Sequence, residues 1–337
     1  MRRARTRRIP TIPGTPARPQ ERSPVRTAET PTSLPSQVSG AVLASPPGTG
    51  LDLFLLAVAV SGISLSAPLI AATAAPALAI AFWRNAMAVG ALTVPALVRH
   101  RAELRSMGRR NVLLAVAAGA LLAVHFGLWL PSLHMTSVAS STALVTTTPI
   151  WTTLLLRLRG HRPPALVWAG TAVAFAGVVL LTGVDLSLSP RALAGDALAL
   201  GGGMAAAGYV LLGAEVRRTV STTAYTYVCY TTTAVLLLGA CLVTGADLGG
   251  GYSAETWLKL VLLTVTAQLL GHSLINRVVR GLGPSVTSTA ILLETPGAAL
   301  IAALWLGQTP PPAVYGALAV ILVGLALVVR ANTRAGR

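Results

Sequence analysis

The stretch SSTALVTTTPIWTTLLLRLRGHRPP at residues 140–164 decides the fold of this chain, because it returns 147 positions later as TSTAILLETPGAALIAALWLGQTPP at residues 287–311. Aligned without a gap, the two stretches share a Ser-Thr-Ala triplet, a Thr-Pro pair, a glycine and a Pro-Pro pair. A common alanine and leucine content does not produce matches at proline and glycine. The alignment therefore indicates an internal duplication.

The composition is that of a membrane protein. Of the 337 residues, 53% are hydrophobic and only 11% are charged, and the mean hydropathy is +0.69. A soluble domain carries roughly a quarter charged residues, and the apolar stretches are continuous rather than alternating, which excludes a β-barrel. The net charge of +16 comes from arginines in the N-terminal tail and in short loops, so nucleic acid is not an expected partner.

Ten stretches have the length and apolar character of a transmembrane helix, which needs about 20 residues. The predicted fold is therefore an all-α membrane protein with ten transmembrane helices. The predicted spans are 53–72, 76–98, 112–130, 137–156, 166–183, 192–214, 224–244, 256–279, 285–306 and 313–329.

The distribution of arginine predicts the orientation. When the N-terminal tail is counted with the loops after alternate spans and the C-terminus, 23 of the 26 basic residues fall on one side of the membrane. Positive charge concentrates in cytoplasmic loops. We therefore predict a multi-pass protein of the inner (cell) membrane with both termini in the cytoplasm.

The duplication divides the ten spans into five and five. An odd number of spans inserts the second copy upside down, so we predict two inverted five-helix repeats, at 51–185 and 192–330. Residues 1–50, rich in arginine and proline, are expected to be a disordered cytoplasmic tail, and 331–337 a second cytoplasmic tail. Inverted repeats are typical of secondary transporters, with the substrate near the midplane between the halves. A duplicated bundle without transport is the alternative.

Several residues of these repeats resemble those of a known family. They are Arg84 after an aromatic residue, Thr148-Pro149, Thr295-Pro296, Gly177 and Gly324. Together with the span count and the repeat, they resemble the drug/metabolite transporter superfamily, and within it the EamA-domain branch. The resemblance implies export or exchange of amino acids or other small metabolites. Many members have a Gly-Glu pair at the ends of spans four and nine, where this chain has Gly160-His161 and Gly307-Gln308, so no role is carried over for those glutamates.

Two ionisable side chains are predicted to lie at membrane depth. Glu294 falls near the middle of span nine, where a carboxylate costs roughly 2.5–3.5 kcal/mol on insertion scales. It is either a proton-coupling or cation-binding site or a neutral acid hydrogen-bonded to a neighbouring helix. Arg84, in span two, either binds a substrate carboxylate, pairs with Glu294, snorkels to the outer surface or braces a bundle contact. The repeat mate of Glu294 is Thr147, a further cavity candidate, so the charge is asymmetric between the halves.

A second group of candidate substrate-cavity residues follows the repeat. His125 and His272 align, and either line a cavity and relay protons or form two copied helix–helix hydrogen bonds. Trp129 and Asn276 lie one turn further along the same helix faces, and Gln268 extends the polar stripe of span eight. Trp129 is alternatively an interfacial anchor.

Two prolines are expected to shape the middle of the bundle. Pro149 and Pro296 remove backbone hydrogen bonds within spans four and nine, and should kink these helices and free carbonyl groups.

The sequence predicts a secondary transporter, an exporter or exchanger that binds a small-molecule substrate in a central cavity and works by alternating access. No G-x-x-x-x-G-K-[ST] motif occurs, so an ion or substrate gradient supplies the energy.

No catalytic residue, cofactor or metal is expected, and Cys229 and Cys241 are too far apart to pair, at about 18 Å along one helix. The alternatives are an intramembrane enzyme and a non-transporting membrane scaffold. The lipid bilayer is the other expected partner, and a homodimer is left open.

Overall fold

A computed structural model describes residues 50–136, 138–182, 190–306 and 312–335. In these residues every regular element is a helix, in agreement with the predicted all-α class. The predicted disordered tail at 1–50 lies outside the described residues apart from Gly50, and so does the Gly307-Gln308 pair.

The helices follow one another with short connections. Those of the predicted first repeat are α1 (Gly50–Ser64), α2 (Ser66–Ala71), α3 (Ala77–Arg99), α4 (Arg101–Ser106), α5 (Arg109–Ser132), α6 (Val138–Val145), α7 (Thr148–Leu158) and α8 (Ala165–Thr182). Those of the predicted second repeat are α9 (Pro190–Val216), α10 (Thr222–Thr244), α11 (Ala254–Leu263), a π-helix (Thr264–His272), α12 (Ser273–Ile291), α13 (Glu294–Leu306) and α14 (Pro312–Ala335). Because α14 continues to Ala335, the predicted tail at 331–337 begins as the end of a helix.

Six helical stretches among the described residues are long and apolar enough to cross a membrane. They are Gly50–Ala71, Ala77–Arg99, Arg109–Ser132, Leu193–Val216, Thr222–Thr244 and Ala254–Ile291. Two shorter apolar stretches, Ala165–Leu180 and Tyr315–Val328, lie in the predicted fifth and tenth spans. The chain is therefore a multi-pass helical membrane protein.

The predicted fourth and ninth spans are each interrupted. Thr146 and Thr147 separate α6 from α7, and two residues before Glu294 separate α12 from α13. Pro149 is the second residue of α7 and Pro296 the third of α13, so each proline follows its break. A first-turn proline is tolerated because its missing N–H would have no helical partner there. Since neither span contains a continuous 18-residue helix, helix length alone does not identify them as crossing the membrane.

Two irregularities distinguish the eighth predicted span and the turn after it. The nine-residue π-helix Thr264–His272 continues directly from α11 and leads into α12. Such segments are rare and frequently mark functional sites. Further along, Gly283 has φ 77° and ψ 162°, a backbone conformation that glycine tolerates. With Pro284 it bends the chain between the predicted spans eight and nine.

Several helix pairs have a counterpart when the two halves are exchanged. The counterpart of α1 is α9, and the counterpart of α5 is the π-helix together with the start of α12. α1 contacts the π-helix and α12, and α9 correspondingly contacts α5. In the same way, α7 with α9 corresponds to α13 with α1, and α7 with α8 to α13 with α14. The α3–α10 and α8–α14 pairs each correspond to themselves. These recurring contacts agree with an internal duplication of the chain.

The helices α8 and α14 approach each other through glycine. A Cβ at Gly324 would lie 2.5 Å from the backbone nitrogen of Ala174, and one at Gly177 would lie 2.9 Å from Cγ1 of Ile321. Ala174 and Ile321 are also 147 positions apart, so the same contact occurs twice. Small residues allow this approach, and close packing holds membrane helices together where the hydrophobic effect between them is absent.

We expect Gly324→Leu to force α8 and α14 apart and to lower the stability of the protein by about 1–3 kcal/mol, the usual cost of overpacking. The matched control is Gly316→Leu on the same helix, where an added Cβ meets nothing within 4 Å. The melting temperatures of the purified variants in detergent measure the effect. Equal melting temperatures for both variants would show that the glycine contact does not hold this pair.

A carboxylate joins α4 to the start of α10. The carboxylate of Glu103 accepts hydrogen bonds from the Ser221 backbone N–H at 2.5 Å, the Ser221 hydroxyl at 2.6 Å and His100 Nδ1 at 2.9 Å. Ser221 in turn caps α10 by accepting from the Ala224 N–H at 3.2 Å. Partial burial raises the pKa of the Glu103 carboxyl, but these hydrogen bonds outweigh it and hold the pKa below its usual range.

Because the folded-state pKa of Glu103 is depressed, its contribution to stability should be present above pH 4.5, the ordinary value, and be lost as the pH falls through the folded pKa. Glu103→Gln should therefore lower the melting temperature at neutral pH, and the difference from the unmodified protein should shrink at about pH 3. Thermal unfolding of both proteins at the two pH values is the measurement. A difference that does not depend on pH contradicts this account.

Candidate functional site

Arg84, on α3, is fully buried, with none of its surface exposed. Its Nε donates to Gln268 Oε1 at 2.9 Å and its Nη1 to Ser66 Oγ at 3.2 Å, and its Cζ lies 4.3 Å from the centroid of the Phe126 ring. Its Nη2 is buried and has no hydrogen-bond partner in the described part of the chain. The side chain therefore points into the bundle rather than to the surface, and the Nη2 group of its guanidinium remains unused.

Gln268 holds Arg84 in place from the π-helix. Its side-chain oxygen accepts from Arg84, and its Nε2 donates to Oδ1 of Asn85 at 3.0 Å. Asn85 in turn donates to the Ala81 carbonyl at 2.9 Å. All three polar side chains are fully buried. Asn85 is thus part of the same network.

His125 and His272 face each other across the interior, with ring centroids 6.4 Å apart. His125 Nδ1 lies 3.0 Å from the Gly202 carbonyl, which can only accept, so Nδ1 carries the proton and Nε2 is available as an acceptor. His272 Nδ1 is buried and forms no hydrogen bond within the described residues.

Aromatic side chains surround the two histidines. Trp129 stacks on His125, with ring centroids 5.6 Å apart and planes 25° from parallel, and the Tyr209 ring lies 6.2 Å from that of His272. Trp129 is buried rather than interfacial, and its Nε1 has no partner among the described residues. Asn276 donates to the Tyr209 hydroxyl at 2.6 Å and so supports this wall from behind.

Glu294 is the first residue of α13 and is 6% exposed. No hydrogen bond or ion pair joins it to another described residue, and the direct pair with Arg84 considered above is not formed. Its neighbour Thr295 lies within 3.1 Å of the Thr146 hydroxyl, so the breaks in the two interrupted spans touch each other. The Glu294 carboxyl therefore lies where the two broken helices meet.

These side chains enclose a small central cavity. Its polar and aromatic lining consists of Ser66, His125, Trp129, Thr146, Thr148, Tyr209, His272 and Glu294. The volume is about 40 Å³, room for only a few water molecules. A molecule larger than a few waters does not fit the cavity in this arrangement of the helices.

The structure brings most of the predicted residues together in two layers. Four of them line the cavity directly: His125, Trp129, His272 and Glu294. Arg84, Gln268 and Asn276 lie behind it, connected through Ser66 and Tyr209.

Thr147 is the exception among the predicted residues. Its hydroxyl donates to the Leu144 carbonyl at 2.7 Å and accepts from Trp151 Nε1 at 3.0 Å, and only its neighbours Thr146 and Thr148 line the cavity. The break between α6 and α7 changes which threonine faces inward. Sequence reasoning did not single out Ser66 or Tyr209, although a tyrosine within a glycine- and alanine-rich helix such as α9 was a usable signal.

We expect Gln268→Leu to destabilise the protein by about 1–3 kcal/mol for each buried polar group left unpaired, and more for the charged one. The substitution removes the acceptor of Arg84 and the donor to Asn85 together. Thr266→Val is the matched control on the same π-helix, because the Thr266 hydroxyl bonds only the Leu262 carbonyl one turn back. Melting temperatures in detergent should fall for Gln268→Leu and stay near wild type for Thr266→Val. The reverse order would contradict the role given to Gln268.

Comparison with known proteins agrees with this architecture. Among solved structures, 29 chains match, and one described only as "Crystal structure of protein" has a TM-score of 0.64 at 17% identity, over 82% of this chain and 94% of its own. At that identity the likeness shows the fold alone. No curated protein is significantly similar in sequence.

The EamA-like transporter family matches the chain twice, over residues 48–183 and 193–330. The resemblance found in the sequence is thereby confirmed. The two matches cover most of the chain, and the protein belongs to the EamA-like transporter family.

Proposed function

We propose that this chain is a secondary transporter that exports or exchanges amino acids or other small metabolites through its central cavity by alternating access. Membership of the family supplies the general class, a membrane transporter of small molecules. The observation that carries the proposal for this chain is the fully buried Arg84, whose Nη2 has no partner in the described residues, beside a cavity that holds the unpaired carboxyl of Glu294.

Two buried ionisable groups that do not pair with each other call for a physical reason. Ionisable residues within a membrane are costly and usually mark substrate or ion pathways. A substrate carboxylate would accept from the free Arg84 donor, in a charge-assisted hydrogen bond. Glu294 would then bind a substrate ammonium group or carry a coupling proton. A scaffold that moves nothing would not need either group at this depth.

The broken helices support the same position for the substrate. Thr148 and Glu294 are the first residues of α7 and α13, and both line the cavity. Helix N-termini carry partial positive charge, and interrupted helices at the midplane form the substrate sites of many secondary transporters. The prolines that follow the breaks keep the two interruptions in place.

The topology within the proposal is ten spans in two inverted five-helix repeats, 51–185 and 192–330, with both termini in the cytoplasm and the protein in the inner membrane. The packing pairs that persist when the halves are exchanged support the internal symmetry. The asymmetric distribution of arginine supports the orientation. One half can then form the inner gate while its mate forms the outer gate.

The test begins with intracellular and extracellular metabolites of cells that lack or overproduce the protein, and continues with flux of the metabolite so identified in proteoliposomes. We expect Arg84→Ala and Glu294→Gln each to reduce flux by about tenfold or more, since a hydrogen bond to a charged group contributes about 1.5–3 kcal/mol. The matched controls, Arg99→Ala and Glu255→Gln, remove the same charges from exposed positions and should transport normally.

The outcomes separate the classes of function. If both site variants fold and transport as well as the controls, the site assignment is wrong even though the family stands. If no metabolite or proton flux accompanies the folded protein, transport itself is overturned in favour of an intramembrane enzyme or a scaffold.

A further inference from the structure

A second cavity, of about 590 Å³, opens at the end of the bundle that the arginines predict to be cytoplasmic. We call it the basic vestibule, and its charged and polar lining consists of Arg110, Arg159, His161, Glu215, Arg218 and Arg280. It lies where the start of α5, the ends of α7 and α9 and the bend at Gly283 in α12 converge. Its volume suits a small metabolite.

The charge of the basic vestibule is unbalanced. Its single carboxylate, Glu215, already pairs with Arg110 at 2.9 Å and with Arg218 at 3.3 Å. No ion pair connects Arg159 or Arg280 to any carboxylate of the described residues. Four arginines against one glutamate leave an excess of positive charge with two guanidinium groups unpaired.

Two neighbouring arginines at this end of the bundle have protein partners. Arg277 pairs with Asp52 at 3.6 Å, and the buried Arg217 donates to the backbone carbonyls of Asn276 and Val220. In the vestibule, His161 adds a buried Nδ1 that lacks a partner within the described chain. A general preference for arginine in cytoplasmic loops explains the positive charge at this end. It does not explain why four arginines and the unpaired His161 Nδ1 line the same cavity.

The basic vestibule adjoins the central cavity. Along α9, Val210 lines the central cavity and the next residue, Leu211, lines the vestibule; along α12, Ile275 and Val279 do the same one turn apart. Only an apolar layer of about one helical turn separates the two spaces. A ligand that passes this layer reaches the central cavity, whose lining residue Ser66 accepts a hydrogen bond from Arg84.

We propose that the basic vestibule binds the carboxylate or phosphate group of a soluble organic anion, and that this anion is the substrate which the central site receives. The identification as substrate rests on the proposed function. Arginine suits the role because its planar guanidinium grips carboxylate and phosphate with two parallel hydrogen bonds. The excess positive charge also raises the local concentration of anions before they enter.

The experiment measures anion binding and needs no transport. Protein in phosphatidylcholine nanodiscs is titrated with inorganic phosphate or succinate, with chloride at the same ionic strength as reference, and the melting temperature is followed. A ligand that binds the folded state raises the melting temperature in a saturable way. Arg159→Gln/Arg280→Gln should weaken this binding by about tenfold or more. Arg101→Gln/Arg105→Gln, which removes two exposed arginines of α4, is the control and should bind as the unmodified protein does.

Three results would overturn the proposal. The first is no stabilisation by phosphate or succinate beyond that of chloride, and the second is equal stabilisation of the Arg159→Gln/Arg280→Gln variant. The third is stabilisation by phosphatidylglycerol added to the disc but not by the soluble anions. The last would assign the arginines to a lipid headgroup. The experiment compares the rise in melting temperature that the anion causes. A variant whose melting temperature without anion differs from that of the unmodified protein therefore does not give a false result. Binding without metabolite flux would leave the anion site standing and defeat the transport function, whereas flux without anion binding would defeat the vestibule alone.

Discussion

The guanidinium of Arg84 lies where water does not reach, and much of the surrounding structure satisfies its hydrogen bonds. An unpaired charge in a low-dielectric interior is among the most costly features that a fold can contain. Two of its donors are used by Gln268 and Ser66, and the Phe126 ring packs against its face. The π-helix belongs to this arrangement, because it is the segment that carries Gln268. What remains is the Nη2 group, which has no partner among the described residues, in a side chain that Ser66 links to the small central cavity.

The rest of the bundle is organised by duplication. A contact that satisfies one half recurs in the other, as the glycine contacts between α8 and α14 illustrate. In a bilayer every backbone polar group needs an internal partner, so the two interrupted spans are tolerated only where they face each other inside the protein. Thr146 and Thr295 meet at that point. The same symmetry that builds the bundle also places its least regular backbone at the centre.

Departures from the symmetry are concentrated in the candidate site. Glu294 has a threonine as its repeat mate, and the π-helix corresponds to a regular α-helical part of α5. His125 donates to a backbone carbonyl, whereas its mate His272 leaves Nδ1 unpaired. Duplication by itself would copy these features. Their divergence indicates that the two halves contribute different chemistry to one shared cavity, while the scaffold around it stays alike.

Much of this protein followed from its sequence alone. Hydropathy, the arginine distribution and the 147-residue repeat are sums or comparisons along the chain, and together with the motif residues they predicted the helical membrane class and the family without any knowledge of packing. The cost of a carboxylate in a bilayer predicted an interior position for Glu294, whereas the sequence left Arg84 open between the interior and the outer surface. Which side chains meet was decided by the tertiary structure. Neighbouring residues of a helix point about 100° apart, so the break before α7 turns Thr146 and Thr148 rather than Thr147 toward the cavity. The π-helix changes the register again and joins Gln268 to Arg84 and Asn85. The closure of the cavity to about 40 Å³ depends on how ten or more helical segments pack at once, and no local pattern in the sequence records that.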